Sequence, residues 1–315
     1  MKSKKITILI PSYNEGEVLP KLYERLVELA GNERECEFEF LFVDDGSRDL
    51  TLSIIKDYAQ KDKRVSYVGL SRNFGKEAAL LAGIDHAEGD AVVIIDADLQ
   101  DPPELIPEMV RFWREGYDDV YARRKTRAGE SFLKKMTSRG YYWVLQKTTR
   151  VPIQIDTGDF RLLDRKCILA LREVRENQRN MKALFSWIGY KKKEIVYRRS
   201  PRAAGKTHFN YLRLVNLAID GITSFTTAPL RVATVVGLVV ALASFIYIFV
   251  IVFKTLIWGV DVGGYASLMS VILFLGGVQL TAIGVLGEYI ARIFMETKGR
   301  PVYLVGEMKI NEKKN

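Results

Sequence analysis

An α/β fold is predicted for this chain: a mostly parallel sheet with helices on both faces, followed by a pair of membrane-spanning helices. Three observations predict it. Strand and helix patterns alternate from residue 5 to residue 123, which argues a parallel sheet wound on both sides. Acidic residues gather where three of the apolar strand runs end, the edge where such sheets bind ligands. Two long runs near the C-terminus carry no charge at all.

The elements follow in order. "KITILIP" is a short apolar run closed by Pro11. "GEVLPKLYERLVELAG" sets Val18, Leu22, Leu26 and Leu29 on one helical face, with Gly31 as its stop. "FEFLFVDDGS" is a strand running into a polar turn, and "DLTLSIIKDYAQKD" is helical. "VSYVGLS" is a strand, "GKEAALLAGIDHAEG" a helix, "AVVIIDAD" a strand, "PELIPEMVRFWREG" a helix and "DDVYAR" a strand. There is no G-x-G-x-x-G and no G-x-x-x-x-G-K-[ST], so dinucleotide and P-loop readings lose their main support.

Residues 232–253 and 262–287 are free of charge, and each run exceeds the roughly 20 residues that cross a bilayer core as a helix. Only "KTLIWGVD" separates them, which predicts a hairpin with both flanks on one side. Those flanks carry Arg213 and Arg231 before it, and Arg292, Lys298, Arg300, Lys309, Lys313 and Lys314 after it. The positive-inside rule therefore places both termini and the large N-terminal domain in the cytoplasm of a multi-pass protein. The net charge of +9 fits anionic lipid and anionic substrates; no nucleic-acid motif accompanies it. Cys36 and Cys167 are isolated, without metal spacing, and suit a reducing compartment. Residues 131–149 and 208–230 mix basic and aromatic residues on amphipathic patterns and read as interfacial. The expected division is a catalytic domain over 1–205, an interfacial region over 206–228, the two spans within 229–290, and a cytoplasmic tail over 291–315.

Asp96 and Asp98 stand two apart at the end of an apolar strand, a spacing that turns both carboxylates to one site. Such hard oxygen ligands, with Gln100 in register, suit Mg²⁺ or Mn²⁺ with substrate phosphates completing the shell. Asp101 precedes "PPEL" and reads mainly as a helix cap. Asp44 and Asp45 form a second acidic cluster, and "PSYNE", with Pro11, Tyr13 and Glu15, a third loop at the same edge. The basic complement is "ARRKTR", with Arg124 and Arg127, and "RAAGKTH", where Arg202, Lys206 and the Thr207 hydroxyl can close on a diphosphate. The alternative for that loop is a solvated basic segment near anionic lipid. "GDFRL" sets Asp159 and Arg161 beside a Gly turn. His208 adjoins the basic loop, whereas His86, inside a helix, reads as structural.

Taken together, "PSYNE", "VDDGSRD", "LSRNFGKEAAL", "DADLQDPP", "DTGDFRL" and "RAAGKTHFN" resemble the family-two inverting glycosyltransferases of the GT-A (Rossmann-like) fold. Within them the chain is similar to the polyisoprenyl-phosphate glycosyltransferases, over nearly its whole length. The resemblance implies a nucleotide-sugar donor and a membrane polyprenyl phosphate acceptor, undecaprenyl phosphate in a bacterial plasma membrane, serving cell-envelope glycosylation. Pro11, Tyr13, Glu15 and Asp44 would line the nucleoside pocket, with Asp45 beside them. Asp96, Asp98 and Gln100 would hold the metal, and Arg124 and Arg127 would bind phosphate. Arg202 and Lys206 would contact diphosphate or acceptor phosphate. Asp159 stands where relatives have a proposed base. Arg161 and Arg179 are further substrate-binding candidates. His208 departs from a common Lys, and Lys182 and Ala183 depart from an expected Arg and Gly. Relatives with such hairpins assemble, which implies a homo-oligomer, a tetramer.

The acceptor phosphate is already largely dianionic at pH 7, its second pKa being about 6, so Asp159 is expected to orient a substrate more than to remove a proton. UDP-glucose ranks first as donor, then another UDP-hexose such as UDP-N-acetylglucosamine, then GDP-mannose. Two rivals are weaker. A processive polysaccharide synthase would carry Q-x-x-R-W, whereas Gln178 here is followed three residues later by Met181 and then Lys182. A catalytically inactive membrane adaptor would have no reason to keep the metal motif and basic loops together.

Overall fold

The structure, a computed structural model, describes residues 4–33, 35–125, 157–177, 179–197, 227–259 and 264–311. The described residues up to 197, together with 300–311, form one compact unit, and those from 227 to 299 form a second.

The first unit is built on a mixed sheet. Its strands are β1 (Lys4–Ser12), β2 (Cys36–Asp44), β3 (Val65–Leu70), β4 (Ala91–Ile94), β5 (Asp119–Arg124), β6 (Thr157–Asp164), β7 (Lys192–Tyr197) and β8 (Val305–Lys309). Their spatial order is β7-β5-β6-β4-β1-β2-β3-β8. β1 pairs in parallel with both β2 and β4, and β2 with β3. The chain thus winds outward from β1 in both directions, and the crevice beyond the ends of β1 and β4 is the place where such sheets bind ligands. The predicted mostly parallel sheet is found, with two antiparallel additions: β6 lies between β4 and β5 and runs against both, and β8 runs against β3.

Period-two alternation gives the strands two apolar faces. In β2, Phe38, Phe40 and Phe42 pack on one side with Ile6, Ile8 and Ile10 of β1. That side is covered by α1 (Leu19–Asn32), α2 (Thr51–Lys61) and α4 (Ile106–Arg114), through Leu22, Leu26, Ile55 and Met109. Leu41 and Val43 face the other side, with Leu9, Val92 and Ile94. There the cover is α3 (Lys76–His86), α5 (Arg165–Glu173) and α6 (Met181–Trp187). Helix α3 is buried continuously from Ala78 to Ile84, the mark of a helix with apolar neighbours all round.

The second unit consists of α7 (Ala228–Trp258) and α8 (Tyr265–Thr297), which touch each other. Their apolar windows are wholly unburied within the chain. At 1.5 Å per residue the 31 residues of α7 span about 46 Å, beyond the ~30 Å of a hydrocarbon core. The helices run past the charge-free stretches because their flanks remain good helix formers; Glu288 and Arg292, one turn apart, pair at 2.9 Å on α8.

Candidate active site

The first two strand-end loops are laced together by short polar side chains. Asn14 adopts a positive φ of 53°, which Asn tolerates. Its amide nitrogen donates to Ser47 Oγ at 2.9 Å and its Oδ1 accepts from Arg48 N at 2.9 Å. Glu15 N donates to Thr51 Oγ1 and Gly16 N to Asp49 Oδ2. Pro11 is buried beside them, while Tyr13 is exposed. Asp44, at the end of β2, is fully buried. Its Oδ2 accepts from Ser47 N at 3.1 Å, and its Oδ1 has no hydrogen-bond partner among the described residues. Burial pushes this carboxyl above the usual range. An orphaned acceptor of this kind suits an N–H or O–H donor on a ligand.

Asp45 works differently. Its carboxylate accepts from Asn73 Nδ2 at 3.1 Å, Phe74 N at 2.8 Å and Gly75 N at 2.9 Å. It is a clamp that fixes the loop opening α3. Gly46 allows the approach: it sits at φ +65°, and a Cβ there would meet the Arg72 carbonyl carbon at 2.3 Å.

The clamp delivers Lys76, the first residue of α3, to the third loop. β4 and β6 pair with Ile94 opposite Arg161, so the same register carried two residues on faces Asp96 toward Asp159. Lys76 Nζ lies 2.6 Å from Asp96 Oδ1, 2.8 Å from Asp96 Oδ2 and 2.6 Å from Asp159 Oδ2. Burial pulls the Lys76 ammonium down, but the carboxylates of Asp96 and Asp159 outweigh it and hold the group above its usual value. Burial alone would raise Asp159, yet Lys76, with Lys182 and Arg161 behind it, keeps this carboxyl below the usual range. Asp159 Oδ1 has no hydrogen-bond partner among the described residues.

Leu99 between Asp98 and Gln100 is held at φ +58°, a strained conformation for a branched apolar residue that costs about 1–3 kcal/mol. The turn lets Gln100 N cap Asp98 Oδ1 at 3.1 Å and leaves the buried Gln100 Oε1 without a hydrogen-bond partner among the described residues. Among those residues no three acidic, His or Cys side chains converge into a complete ligand cage. Two carboxylates and an orphaned amide oxygen fit instead a hard cation that takes its remaining ligands from substrate phosphate and water.

At the neighbouring strand ends, Arg124 Nε donates to Tyr197 Oη at 3.3 Å, and its guanidinium covers Gly158, where a Cβ would meet Nη2 at 2.9 Å. Tyr197 also donates to Asp101. Asp101 is thus fully buried and held from β7, and the expected helix cap is corrected: the 3-10 turn at Pro103–Leu105 has no side-chain cap. The two expected substrate arginines have protein partners. Arg161 is fully buried and pairs with Asp119, also fully buried, at 3.1 Å. Arg179 is buried and donates from Nη1 to the Val174 carbonyl at 2.6 Å. Arg127, Arg202, Lys206, Thr207 and His208 lie outside the described residues. Lys76 and Tyr197 were not singled out from the sequence. The one available signal was a Lys at a helix start directly after a strand-end loop, "NFGK".

The site is thus an acidic strand-end crevice in a wound α/β sheet, in a chain that also carries a long apolar helix pair. The family model for Glycosyl transferase family 2 matches residues 7–171, and that for the GtrB C-terminal hairpin matches 228–293. An uncharacterized glycosyltransferase of Synechocystis is 49% identical over 96% of this chain and 95% of its own length. The prophage bactoprenol glucosyl transferase homolog of Escherichia coli K12 is 45% identical over 97% of this chain and 99% of its own. Among solved structures, mannosyl-3-phosphoglycerate synthase of Rubrobacter xylanophilus aligns at 15% identity and a TM-score of 0.47, over 69% of this chain and 71% of that one. The chain belongs to glycosyl transferase family 2. It is a glycosyltransferase with a GT-A-like sheet and a membrane-associating C-terminal hairpin.

Proposed function

We propose that this enzyme transfers a hexose, glucose in the first instance, from a nucleotide-diphospho-sugar to a polyprenyl phosphate held in the membrane, with inversion at the sugar carbon. UDP-glucose is the favoured donor and undecaprenyl phosphate the favoured acceptor. The observation that carries this reading is the pairing, in one chain, of the strand-end carboxylates with an unburied apolar hairpin. It is supported by 45% identity over nearly full length to proteins named bactoprenol glucosyl transferase.

In this reading the orphaned Asp44 Oδ1 and the loop carrying Pro11, Tyr13 and Glu15 take the nucleoside. Asp96, Asp98 and Gln100 hold Mg²⁺ or Mn²⁺ on the donor diphosphate. The ion would neutralise the diphosphate as it leaves. Arg124, whose guanidinium covers Gly158, would receive phosphate. An acceptor phosphate oxygen attacks the anomeric carbon from the face opposite the diphosphate; the bond from that carbon to the diphosphate oxygen breaks, and a nucleoside diphosphate leaves. The nucleophile, with a second pKa of about 6, needs little deprotonation near neutral pH. Asp159, held as an anion by Lys76, then orients the sugar or acceptor rather than accepting a proton.

Strand β8 follows α8 and lies in the same sheet as the strands before α7. A chain that leaves this unit and returns to it makes an even number of crossings, which supports both flanks of the hairpin on one side. The flanking Arg and Lys residues make that side the cytoplasmic one. A homo-oligomer, a tetramer, belongs to the same reading. The deciding experiment offers labelled UDP-glucose, UDP-N-acetylglucosamine and GDP-mannose, each with undecaprenyl phosphate and Mg²⁺ or Mn²⁺. A lipid-extractable product from UDP-glucose is expected, and no lipid product from any donor overturns the proposal.

A further inference from the structure

We propose that Lys76 is an exchangeable counter-ion of the metal loop: its ammonium competes with the divalent cation for Asp96 and, once displaced, serves as the cation that receives the acceptor phosphate beside Asp159. The second half rests on the acceptor assigned above; the first does not.

The geometry favours exchange over a fixed salt bridge. One ammonium engages both oxygens of Asp96, at 2.6 and 2.8 Å. A divalent ion bound to the same carboxylate sits at roughly 2.0–2.1 Å from its oxygen if it is Mg²⁺. Lys76 Nζ in its present place would then be pressed against a doubly charged neighbour, so the two cations compete for Asp96. Lys76 need not leave the site to yield, because it already holds Asp159 at 2.6 Å. Its backbone is pinned: the Asp45 carboxylate fixes Phe74 N and Gly75 N at the turn before it. Its side chain is 43% exposed, and a lysine carries its charge on a flexible four-carbon stem. A fixed root on a flexible stem is what an ion-exchange step requires.

The second half follows from charge. An acceptor phosphate that approaches Asp159 brings a near-dianion against a buried carboxylate. The two repel unless a cation stands between them. Among the described residues Lys76 makes the ion pair with Asp159, whereas Arg124 has Nε directed to the Tyr197 hydroxyl. Metal arriving with the donor would thus release the cation that the acceptor needs, so donor binding precedes acceptor binding.

The test uses the full chain in detergent. Mn²⁺ is titrated by electron paramagnetic resonance with neither donor nor acceptor present, and KM values for donor and acceptor are measured separately. Lys76→Met is expected to bind Mn²⁺ about tenfold tighter than wild type, the scale on which a neighbouring charge acts at this range. Lys76→Arg, which keeps the charge, is expected to stay within about threefold of wild type. Lys182→Met removes a charge that acts on Asp159 without touching Asp96, and its Mn²⁺ affinity should shift by less than about twofold. Lys76→Met should also raise acceptor KM by about tenfold or more while donor KM moves less than about threefold. If Lys76→Met does not fold, Lys76→Gln reads the same quantities. Unchanged or weaker Mn²⁺ binding in the neutral variant, or a shift matched by Lys182→Met, overturns the exchange. An unmoved acceptor KM overturns the phosphate role. A wild-type enzyme that yields no lipid product refutes the function proposed above and still leaves the Mn²⁺ titration to decide the exchange.

Discussion

Replacing Arg161 with Met should unfold the sheet unit at lower temperature and leave donor recognition intact. Arg161 and Asp119 have no exposed side-chain surface, and their charged atoms are 3.1 Å apart. With an effective dielectric constant of about 20, that separation corresponds to roughly 5 kcal/mol of attraction. Burial pushes the Asp119 carboxyl up, and Arg161, with Lys192 behind it, offsets this only in part. The guanidinium also lies 4.0 Å from the centroid of Phe185. Removing Arg161 leaves a buried carboxylate facing, among the described residues, Lys192 at 3.9 Å, and breaking such a pair from one side costs about 3–5 kcal/mol. For a unit of this size each kcal/mol shifts the melting midpoint by about 2–4 °C, so a loss of about 6–20 °C is expected. The double variant Arg161→Met/Asp119→Leu should recover most of that loss, because both charges leave together and Lys192 keeps its 2.8 Å bond to the Phe185 carbonyl. The assay is thermal unfolding of the detergent-solubilised chain followed by tryptophan fluorescence, with donor KM measured alongside. An Arg161→Met protein that melts like wild type while its donor KM rises tenfold would refute the structural role and restore Arg161 as a ligand.

Asp159→Asn should retain measurable turnover with a raised acceptor KM. Near-full turnover excludes a general-base role for Asp159, and an unchanged acceptor KM refutes the orienting one. Gly46→Ala should lower stability by about 1–3 kcal/mol and weaken donor binding, since it strains a positive-φ residue and pushes on the Arg72–Asn73 backbone; an unchanged melting midpoint and donor KM contradict it. Chelation of divalent ions should abolish transfer, with Mg²⁺ or Mn²⁺ restoring it; turnover that persists in excess chelator excludes the metal. Burial raises Asp62, but Arg64 and Tyr23 together lower it below 3.8. Its contribution is therefore present at neutral pH and lost only as pH falls through that lowered pKa, so Asp62→Asn should destabilise by less than about 1 kcal/mol at pH 7 and by progressively less in acid below the usual carboxylate pKa. An effect that does not shrink as the pH falls removes the ion pair as the cause.

Local pattern reveals some parts of this molecule and conceals others. The strands and helices between residues 5 and 123 follow period-two and helical spacing, and the structure has them in the order read. Asp96, Asp98 and Gln100 were legible because carboxylates at a strand end oppose the burial of their neighbours. β6 was legible only as a loop motif, "GDFRL", because its place between β4 and β5 comes from pairing with residues about 40 to 70 positions earlier. The partner of Arg161 was hidden for the same reason: beside a Gly and an Asp it reads as a ligand, and only the register that brings Tyr121 opposite it, with Asp119 two residues before, reveals a buried acid. Lys76 was hidden because a Lys at a helix start is ordinary; its meaning lies in two carboxylates 20 and 83 residues away.

The tail strand shows the same contrast and bears on function. "VGEMK" has little strand signature, yet it pairs with β3 over Tyr67 to Leu70. Around it, Tyr303 donates to Asp85 at 2.7 Å and Asn311 N donates to Ser66 Oγ at 3.1 Å. An open edge on β3 would present unpaired backbone groups, so the tail covers a liability while it returns the chain from the hairpin to the sheet. Cutting the chain after Gly299 should therefore lower the melting midpoint of the sheet unit and expose β3 to self-association. Its light-scattering profile on heating should rise earlier than that of the full chain. Equal stability and equal scattering would reduce β8 to a passive end, and the even-crossing topology would then have to rest on flanking charge alone.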